Sequence, residues 1–361
     1  MNPVRILFAA LPAYGHVLPL APLALAAQEA GHQVEFAASA EFAGRLPGEV
    51  VNSVADGVDL QRVEREAASE VTDPQDPLAW PRAIFGVVTP RYVVPTLRAH
   101  WSATGLPDLV VHEGMNVGAG IAAAEAGVRA VAFNISLMPP AFVRDLVRGE
   151  MGYPTDTTID PRPASWCRDD PPGGRIPIRT VAWSDATAAR PTWPDESRDG
   201  PTAFVTLGTV SFGAVEVLRR SVLETADVCT RVVVAGPGAD FDRLGSLPEH
   251  VHLERLVDQP YVLKNADVAI HHGGTGTVLA CLEHGVPQVI TPQGADQFPN
   301  ADLLVQRGLA RLVPNVASAG ACSAAIVSVL EDGDLRERVD SVRREIAQMP
   351  TPDEVLRMLT G

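Results

Sequence analysis

Lysine is nearly absent from this chain of 361 residues, in which Lys264 is the only one. A Walker-type phosphate loop ends in Gly-Lys, and Lys264 stands in no such context, so that class of nucleotide site is excluded. Acidic residues outnumber basic ones, 44 against 29, which gives a formal net charge of −15. This balance argues against nucleic acids and anionic membrane surfaces as partners.

Cysteines and long apolar runs are also few. No Cys-x-x-Cys pair occurs, so neither a zinc ribbon nor a disulfide framework is indicated, and reduced thiols in the cytoplasm are expected. No segment reaches the roughly 18–20 apolar residues of a membrane span, and the apolar run near the N-terminus is too short for a signal peptide. With 46% hydrophobic residues, the length favours two domains with sizeable cores. The four cysteines are Cys167, Cys229, Cys281 and Cys322.

What the chain does contain is a repeated alternation of short apolar runs and longer amphipathic stretches, which is typical of parallel β-α-β units. In the first half, strands are predicted at 4–10, 33–39, 108–113 and 129–134, with helices at 18–32 and 118–128. In the second half, strands are predicted at 202–209, 231–238, 251–257, 267–272 and 286–292, with helices at 214–228, 276–285 and 334–350. The pattern predicts two doubly wound α/β domains, with ligands at the carboxyl ends of the strands.

The stretch "AIHHGGTGTVLACLEHG" (269–285) carries the strongest chemical signal. A strand ends, glycines turn the chain, and a helix begins, so unpaired N–H groups and a partial positive charge are available to an anion. This favours phosphate binding over an unliganded turn. A metal site at His271 and His272 is the weakest alternative, because neighbouring strand residues point to opposite faces. The dinucleotide fingerprint is not met, since Leu279 stands at the position of its last glycine.

The longer run "HHGGTGTVLACLEHGVPQVITPQGADQFPNADLLVQRGLA" (271–310) resembles the nucleotide-sugar signature of inverting GT-B glycosyltransferases, especially bacterial enzymes that decorate polyketides, enediynes, macrolides and glycopeptides. "GHVLPLAPLALAAQEAGHQV", "DLVVHEG" and "FVTLGT" extend the resemblance over most of the chain. It implies two facing Rossmann-like domains with a central cleft and a C-terminal crossover helix. The expected parts are an acceptor domain (1–185), a linker (186–200), a nucleotide-sugar domain (201–335) and a final helix packing back toward the N-terminal domain (336–361).

The resemblance also implies which residues bind the donor. Asp296 and Gln297 of "GADQ" match the pair that holds sugar hydroxyls, and a carboxylate suits that task as a double acceptor. His271 is expected to pack at the strand end. The residues matched to the diphosphate site are His272, Gly274, Gly276 and Thr277, with Gly208 and Thr209 from a second loop.

The nucleobase region departs from the family pattern. Many relatives have Trp-x-Pro-Gln, whereas this chain has Leu256-Val257-Asp258-Gln259, so an aliphatic contact replaces an indole under the base. Leu256, Val257 and Gln259 are nevertheless expected to contact the base. Antibiotic-type relatives commonly use dTDP-sugars, so thymidine is favoured and uridine stays open.

By the same resemblance, His16 in "AYGHVLP" is the general base. The chemistry agrees, because a hydroxyl that attacks an anomeric carbon must lose its proton and histidine accepts one near neutral pH. Such a base is usually oriented by a carboxylate. The family often has aspartate after His112, and here Glu113 takes that position, with His112 itself as an alternative partner.

An apolar acceptor pocket is expected in the N-terminal half. Scattered aromatic and methionine side chains in the least regular stretches are its candidates, and Phe85, Phe133, Met138 and Phe142 are assigned to it, whereas Trp80 and Tyr92 are candidates only. No metal or cofactor is expected. Asp240-Phe241-Asp242 resembles the Asp-x-Asp metal motif of the other large glycosyltransferase fold, but we interpret it as a solvated loop.

Together these features predict an inverting transfer of a sugar from an NDP-sugar to a hydroxyl of an apolar natural product. One alternative is a nucleotide-sugar epimerase or hydrolase on the same scaffold, and another is a non-catalytic partner of a transferase. The partners expected are therefore the NDP-sugar and the aglycone. The sugar, the aglycone, the bond type (to O, N or C) and a homodimer all stay open.

Overall fold

The computed structural model describes residues 3–54, 58, 60–73, 75–76, 78–148, 153–168, 170, 174–184, 188, 190, 200–208, 215–236, 241–314 and 318–361. The chain divides into two compact units. Unit 1 comprises Met1–Arg179 and Met349–Gly361, and unit 2 comprises Thr180–Gln348. Most of the predicted linker (186–200) lies outside the described residues, as does Thr209.

The strands of unit 1 are β1 (Arg5–Ala9), β2 (Gln33–Ala38), β3 (Glu49–Asn52), β4 (Leu109–Glu113), β5 (Arg129–Phe133), β6 (Thr157–Asp160) and β7 (Gly174–Pro177). Within the described residues, they form one seven-stranded parallel sheet in the order β3-β2-β1-β4-β5-β6-β7. The order proceeds in opposite directions from β1 and β4. The carboxyl ends of these two strands therefore define the switch point at which such sheets bind ligands.

Helices lie between these strands: α1 (Tyr14–Val17), α2 (Ala21–Glu29), α3 (Leu60–Glu70), α4 (Ala79–Pro81), α5 (Thr89–Thr104), α6 (Val117–Glu125) and α7 (Pro140–Val147). Three 3₁₀ turns span Leu18–Leu20, Ala40–Phe42 and Ala164–Trp166, and a π-helical turn spans Arg82–Val88. β1 and β4 are buried along almost their whole length, because α5 and α6 pack over them.

The stretch from Ala79 to Thr104 corrects one expectation. The acceptor candidates within it were expected in an irregular segment, yet the stretch is continuously helical through α4, the π-helical turn and α5. Pro90 stands in the first turn of α5, where proline is tolerated, and Pro95 lies on an exposed face of the helix interior. Two of the proposed acceptor candidates, Phe85 and Tyr92, are therefore held on helices.

The strands of unit 2 are β8 (Thr202–Thr206), β9 (Arg231–Ala235), β10 (Val251–Glu254), β11 (Val268–His271), β12 (Gln288–Ile290) and β13 (Ala310–Leu312). Within the described part of the chain, they form a six-stranded parallel sheet in the order β10-β9-β8-β11-β12-β13. The topology repeats that of unit 1. Its switch point lies at the carboxyl ends of β8 and β11.

The remaining helices are α8 (Val215–Ala226), α9 (Gln259–Asn265), α10 (Thr275–His284), α11 (Gln297–Gln306), α12 (Ala321–Glu331), α13 (Gly333–Ala347) and α14 (Pro352–Thr360), with a 3₁₀ turn at Phe241–Leu244. Where one final helix was expected, there are two. α13 belongs to unit 2, whereas α14 belongs to unit 1 and packs on α2. Arg129 Nη1 donates to the carbonyl of Leu359 at 2.7 Å and fixes the end of α14. No helix among the described residues has the length and apolar character that a bilayer crossing requires.

Candidate active site

The switch point of unit 1 holds a histidine–carboxylate pair. Ala9 of β1 is in register with His112 of β4, so the two strands end at the same edge of the sheet. His16 lies in α1 just beyond β1, and Glu113 is the last residue of β4. Their Nδ1 and Oε1 atoms are 3.0 Å apart. The Glu113 side chain is fully buried, whereas 23% of the His16 side chain is exposed.

Further hydrogen bonds fix this pair. Glu113 Oε2 accepts from the backbone N–H of Met115 at 2.6 Å, so both carboxylate oxygens are held. A carboxylate only accepts, so Nδ1 of a neutral His16 carries the proton and Nε2 carries the lone pair. His112 points elsewhere, because its Nδ1 donates to the carbonyl of Glu113 at 3.0 Å. Burial lowers the pKa of His112, so its ring is neutral.

Phe85 is presented to His16 by the π-helical turn. The two ring centroids are 6.0 Å apart, with the planes tilted by 36°. Phe85 is half-buried and packs against three hydrophobic clusters of unit 1 at once. A π-helical turn is rare and often marks a functional site. The turn therefore places an aromatic face beside the histidine.

The other acceptor candidates differ in exposure. Phe133 at the end of β5 is only 3% exposed and contributes mainly to the core. Met138 and Phe142 are half-buried around the start of α7. Trp80 is 42% exposed, and the hydroxyl of Tyr92 donates to Glu66.

The switch point of unit 2 holds the glycine-rich turn. β11 ends at His271, and Gly274 is the N-cap of α10. Gly273 adopts φ = 92°, a conformation that side-chain-bearing residues rarely adopt. Thr275 and Gly276 open α10, so their N–H groups are among those a helix leaves unpaired. The turn supplies these donors and the positive end of the helix dipole.

His272 is enclosed by two glycines that sequence analysis assigned to separate loops. A Cβ at Gly208 would lie 2.6 Å from His272 Cε1, and one at Gly274 would lie 2.3 Å from His272 Nε2. Any side chain at either position would displace the ring. Burial lowers the pKa of His272 to about 4, partly offset by the nearby Thr206 backbone, so the imidazole is neutral. Gly276 and Thr277 follow in the first turn of α10.

His271 is a structural residue, as expected. It is fully buried, its Nδ1 accepts from Gly273 N–H at 3.0 Å, and its Nε2 donates to Gln288 Oε1 at 2.9 Å. Desolvation lowers its pKa to about 3. The ring therefore braces the turn as a neutral group.

Asp296 and Gln297 stand at the start of α11. Asp296 is exposed, and its Oδ2 accepts from the Thr275 hydroxyl at 3.1 Å. Gln297 is buried, and its Oε1 accepts from the N–H groups of Gln293 at 2.7 Å and Gly294 at 3.2 Å, which leaves its amide N–H groups as the side chain's donors. Ala295, which precedes Asp296, has φ = 52°, and such strain in a non-glycine residue is concentrated at functional sites.

The loop from Leu256 to Gln259 leads into α9. Leu256 is half-buried, Val257 is buried in a core cluster, and Gln259 is the first residue of α9. Asp258 caps this helix by accepting from Tyr261 N–H at 3.2 Å and also accepts from Arg190 at 2.6 Å. The loop is thus fixed by Asp258, a residue to which no role was assigned.

Among the described residues, one group of side chains could in principle hold a metal ion. It consists of Asp160, Cys167 and Asp170. Arg162 donates to both aspartates, and Arg175 donates to Asp160 at 2.9 Å. These cations neutralise the carboxylates, so the cluster is a buried ion-pair network. Of the Asp-x-Asp motif, Asp240 lies outside the described residues, and Asp242 lies in the 3₁₀ turn Phe241–Leu244.

One buried polar residue of the site was missed. Asn300 in α11 is fully buried and donates to Gly273 O at 2.9 Å and to Asp296 Oδ2 at 3.0 Å. The sequence offered one signal for it. Asn300 follows Asp296 by four residues in "DQFPN", and residues four apart share a helix face.

Comparisons with known proteins agree with this architecture. The family model described as "Erythromycin biosynthesis protein CIII-like, C-terminal domain" matches residues 219–361. L-demethylnoviosyl transferase of Streptomyces niveus is 30% identical over 99% of this chain and 98% of that protein. The 3-alpha-mycarosylerythronolide B desosaminyl transferase of Saccharopolyspora erythraea is 25% identical over 98% of this chain and 97% of that protein.

Solved structures show the same fold. The glycosyltransferase SnogD of Streptomyces nogalater is 26% identical with a TM-score of 0.77, covering 99% of both chains. SsfS6 of Streptomyces sp. SF2575, solved with thymidine diphosphate, has a TM-score of 0.82 at 24% identity over 99% of both chains. The GT-B fold expected from the resemblance is confirmed. The chain therefore belongs to the family of antibiotic glycosyltransferases and is itself a glycosyltransferase.

Proposed function

We propose that this enzyme transfers a sugar, with inversion, from a dTDP-sugar to a hydroxyl of an apolar natural-product aglycone. The observation that carries the proposal is the His16–Glu113 pair at the switch point of unit 1. A histidine with one nitrogen held by a buried carboxylate and part of its side chain exposed has the features of a general base.

In the proposed reaction, Nε2 of His16 removes the proton of the acceptor hydroxyl. The resulting oxygen attacks the anomeric carbon of the sugar as the bond from that carbon to the diphosphate breaks. The electron pair of that bond leaves with the nucleoside diphosphate, and His16 becomes the imidazolium. The Glu113 carboxylate stabilises this cation through Nδ1–H and holds the ring in the required tautomer.

The turn after β11 has the properties of a diphosphate site. It combines the N-terminus of α10 with the neutral ring of His272 and the hydroxyl of Thr277, while Gly274 and Gly276 allow close backbone approach. These groups donate to an anion whose negative charge grows as the bond breaks. No metal is needed for that task, because the donors and the dipole are already in place.

Asp296 and Gln297 are proposed to bind the sugar. Asp296 offers a carboxylate acceptor to sugar hydroxyls, and Gln297 offers amide donors, because its oxygen is engaged by the loop backbone. Leu256, Val257 and Gln259 are the proposed nucleobase residues. Thymidine is favoured because the related SsfS6 was solved with thymidine diphosphate.

The acceptor is proposed to bind beside His16. Phe85 supports this, since its ring already lies against the imidazole and keeps part of its surface exposed. Met138 and Phe142 are further candidates, whereas the burial of Phe133 leaves it little surface to offer. We keep the cytoplasm as the proposed location, since all four cysteines are free thiols.

The proposal is tested by measuring dTDP and UDP affinity by calorimetry, then dTDP release with a panel of dTDP-sugars and hydroxylated polyketide aglycones. His16→Ala is expected to reduce acceptor-dependent dTDP release by about a hundredfold or more while dTDP affinity is retained. The matched control is His100→Ala. His100 also pairs with a glutamate of unit 1, Glu35, at 3.1 Å, but on α5, and this variant is expected to keep wild-type turnover.

Each outcome separates the candidate functions. Wild-type turnover in His16→Ala would show that the base is assigned wrongly. Release of dTDP at full rate without any acceptor would instead indicate a hydrolase. Failure to bind dTDP or UDP at millimolar concentration would contradict every function that uses a nucleotide-sugar. A non-catalytic partner would bind nucleotide and form no glycoside.

A further inference from the structure

Asn300 connects two loops to which separate donor-binding tasks were assigned. Its Nδ2 donates to Gly273 O at 2.9 Å and to Asp296 Oδ2 at 3.0 Å, with a longer contact to Thr275 Oγ1 at 3.3 Å. Gly273 and Thr275 belong to the turn after β11, whereas Asp296 precedes α11. One amide group therefore spans the proposed diphosphate turn and the proposed sugar loop.

These bonds orient the Asp296 carboxylate. Its Oδ2 accepts from Asn300 and from the Thr275 hydroxyl at 3.1 Å, so both donors approach the same oxygen. The other oxygen, Oδ1, takes part in neither of these two bonds, and the residue is exposed enough to meet a ligand. The carboxylate cannot rotate without breaking two hydrogen bonds.

Packing alone does not account for an asparagine at this position. The residue is fully buried, and its Oδ1 finds no hydrogen-bond partner within the part of the chain that the structure describes. An unpaired buried acceptor is unfavourable, and an apolar side chain at this position would avoid it. The N–H groups of the amide are therefore the part that makes hydrogen bonds here, and they hold Asp296 to the turn.

We propose that Asn300 is a positioning residue that fixes the sugar-binding carboxylate of Asp296 relative to the diphosphate turn. This rests on the proposed function, because it presumes a nucleotide-sugar at these two loops. Asn300 does not itself contact the donor. Its effect falls mainly on the sugar half of the ligand, since the groups proposed to bind the diphosphate are His272 and the start of α10.

The first test compares the binding of dTDP and dTDP-glucose to wild type and to Asn300→Asp by calorimetry. The substitution keeps the shape but replaces the N–H donors with an acceptor. We expect the dissociation constant for dTDP-glucose to rise about tenfold and that for dTDP to change less than about twofold. An equal change for both ligands, or no change for either, would overturn the proposal.

The pH dependence gives a second readout that a merely structural residue would not alter. A carboxylate at position 300 faces that of Asp296, and the repulsion raises the pKa of one of them. Protonation then restores a donor between the two groups. The dTDP-glucose affinity of Asn300→Asp is therefore expected to recover between pH 7.5 and about 5.5, whereas Asn300→Leu, which has no proton to gain, should not recover. Parallel pH profiles for the two variants would contradict the positioning role.

Asn265→Asp is the matched control. Asn265 is the last residue of α9, donates to Tyr261 O at 2.8 Å and lies before β11, at the end of that strand away from the turn. It should bind both ligands as wild type does. If the wild-type protein itself binds neither dTDP nor dTDP-glucose, the proposed function fails. If it binds both and the variant ratio is unchanged, only the role of Asn300 fails.

Discussion

The two switch points of this enzyme share one topology and contain opposite kinds of chemistry. In unit 1, β1 and β4 end at an ionisable pair, His16 and Glu113, held at 3.0 Å. In unit 2, β8 and β11 end at glycines that enclose the neutral ring of His272. The same backbone arrangement thus positions a pair of ionisable side chains in one unit and backbone N–H groups in the other.

This difference teaches what each site is suited to do. A carboxylate behind an imidazole stabilises the imidazolium, so unit 1 is suited to accept a proton. Glycines and a helix N-terminus offer fixed partial charges that do not titrate, so unit 2 is suited to hold an anion. The burial of His272, which lowers its pKa to about 4, keeps that ring neutral beside the proposed ligand.

Removing the charge of Glu113 should produce the largest effect and should affect only unit 1. In Glu113→Gln the amide can present its N–H groups to Nδ1, which stabilises the wrong tautomer of His16. We expect kcat for glycosyl transfer to fall about a hundredfold or more, with dTDP affinity unchanged. Steady-state kinetics and calorimetry on the same preparation measure both quantities.

The control for this prediction is Glu35→Gln. Glu35 also pairs with a histidine and lies in β2 of the same unit. It should keep wild-type kcat. A Glu113→Gln enzyme that retained half of wild-type kcat would show that Glu113 only supports the fold. The switch point of unit 1 would then not be a proton-accepting pair, which contradicts the contrast with unit 2.

A methyl group at Gly276 should separate ligand approach from folding in unit 2. A Cβ at this position meets no atom of the protein within 4 Å, and the residue is exposed in the first turn of α10. Gly276→Ala should therefore leave the melting temperature unchanged or slightly raised. Because the methyl group would occupy space that a diphosphate needs, dTDP affinity should fall about tenfold.

Alanine variants at two further glycines serve as controls for this prediction. Gly333→Ala, at the open start of α13, should change neither melting temperature nor affinity. Gly274→Ala should lower both, because its Cβ would lie 2.3 Å from His272 Nε2. Unchanged dTDP affinity in Gly276→Ala would place the diphosphate elsewhere, even with the fold intact.

The sequence was most informative where local patterns and the family motif coincide. The strand, glycine turn and helix of 267–285 were predicted closely, because the transition from a buried apolar run to helical spacing needs no tertiary information. The strands β6 ("TTID") and β7 ("GRIP") were missed. Each has four residues with few apolar side chains, and pairing with a neighbouring strand decides their conformation.

Contacts between segments distant in sequence were beyond prediction for a related reason. The packing of Gly208 against His272 depends on β8 and β11 being neighbours in the sheet. The link from Asn300 to Gly273 depends on how α11 lies against the turn. A sequence motif identifies individual residues. The contacts of Gly208 and Asn300 depend instead on how distant segments pack in the folded chain.

The smallest effect we predict concerns the pH dependence of stability in unit 2, where His271 is buried as a neutral group. Its pKa is lowered from 6.5 to about 3 in the folded protein, so unfolding takes up a proton at any pH between these values. The stability that this histidine contributes is complete above about pH 6.5 and is lost as the pH falls toward 3. The slope is about 1.4 kcal/mol per pH unit.

His271→Asn should remove that slope between about pH 6 and 5, measured as the free energy of unfolding in urea at each pH. Gln288→Leu is the control, because it deletes the hydrogen-bond partner of His271 and lowers stability but leaves the titrating group in place. Its slope should equal that of wild type. Parallel curves for His271→Asn and wild type would mean that His271 is protonated in the folded state. The turn after β11 would then carry a positive charge. The switch point of unit 2 would no longer be neutral, and the contrast with the ionisable pair of unit 1 would be wrong.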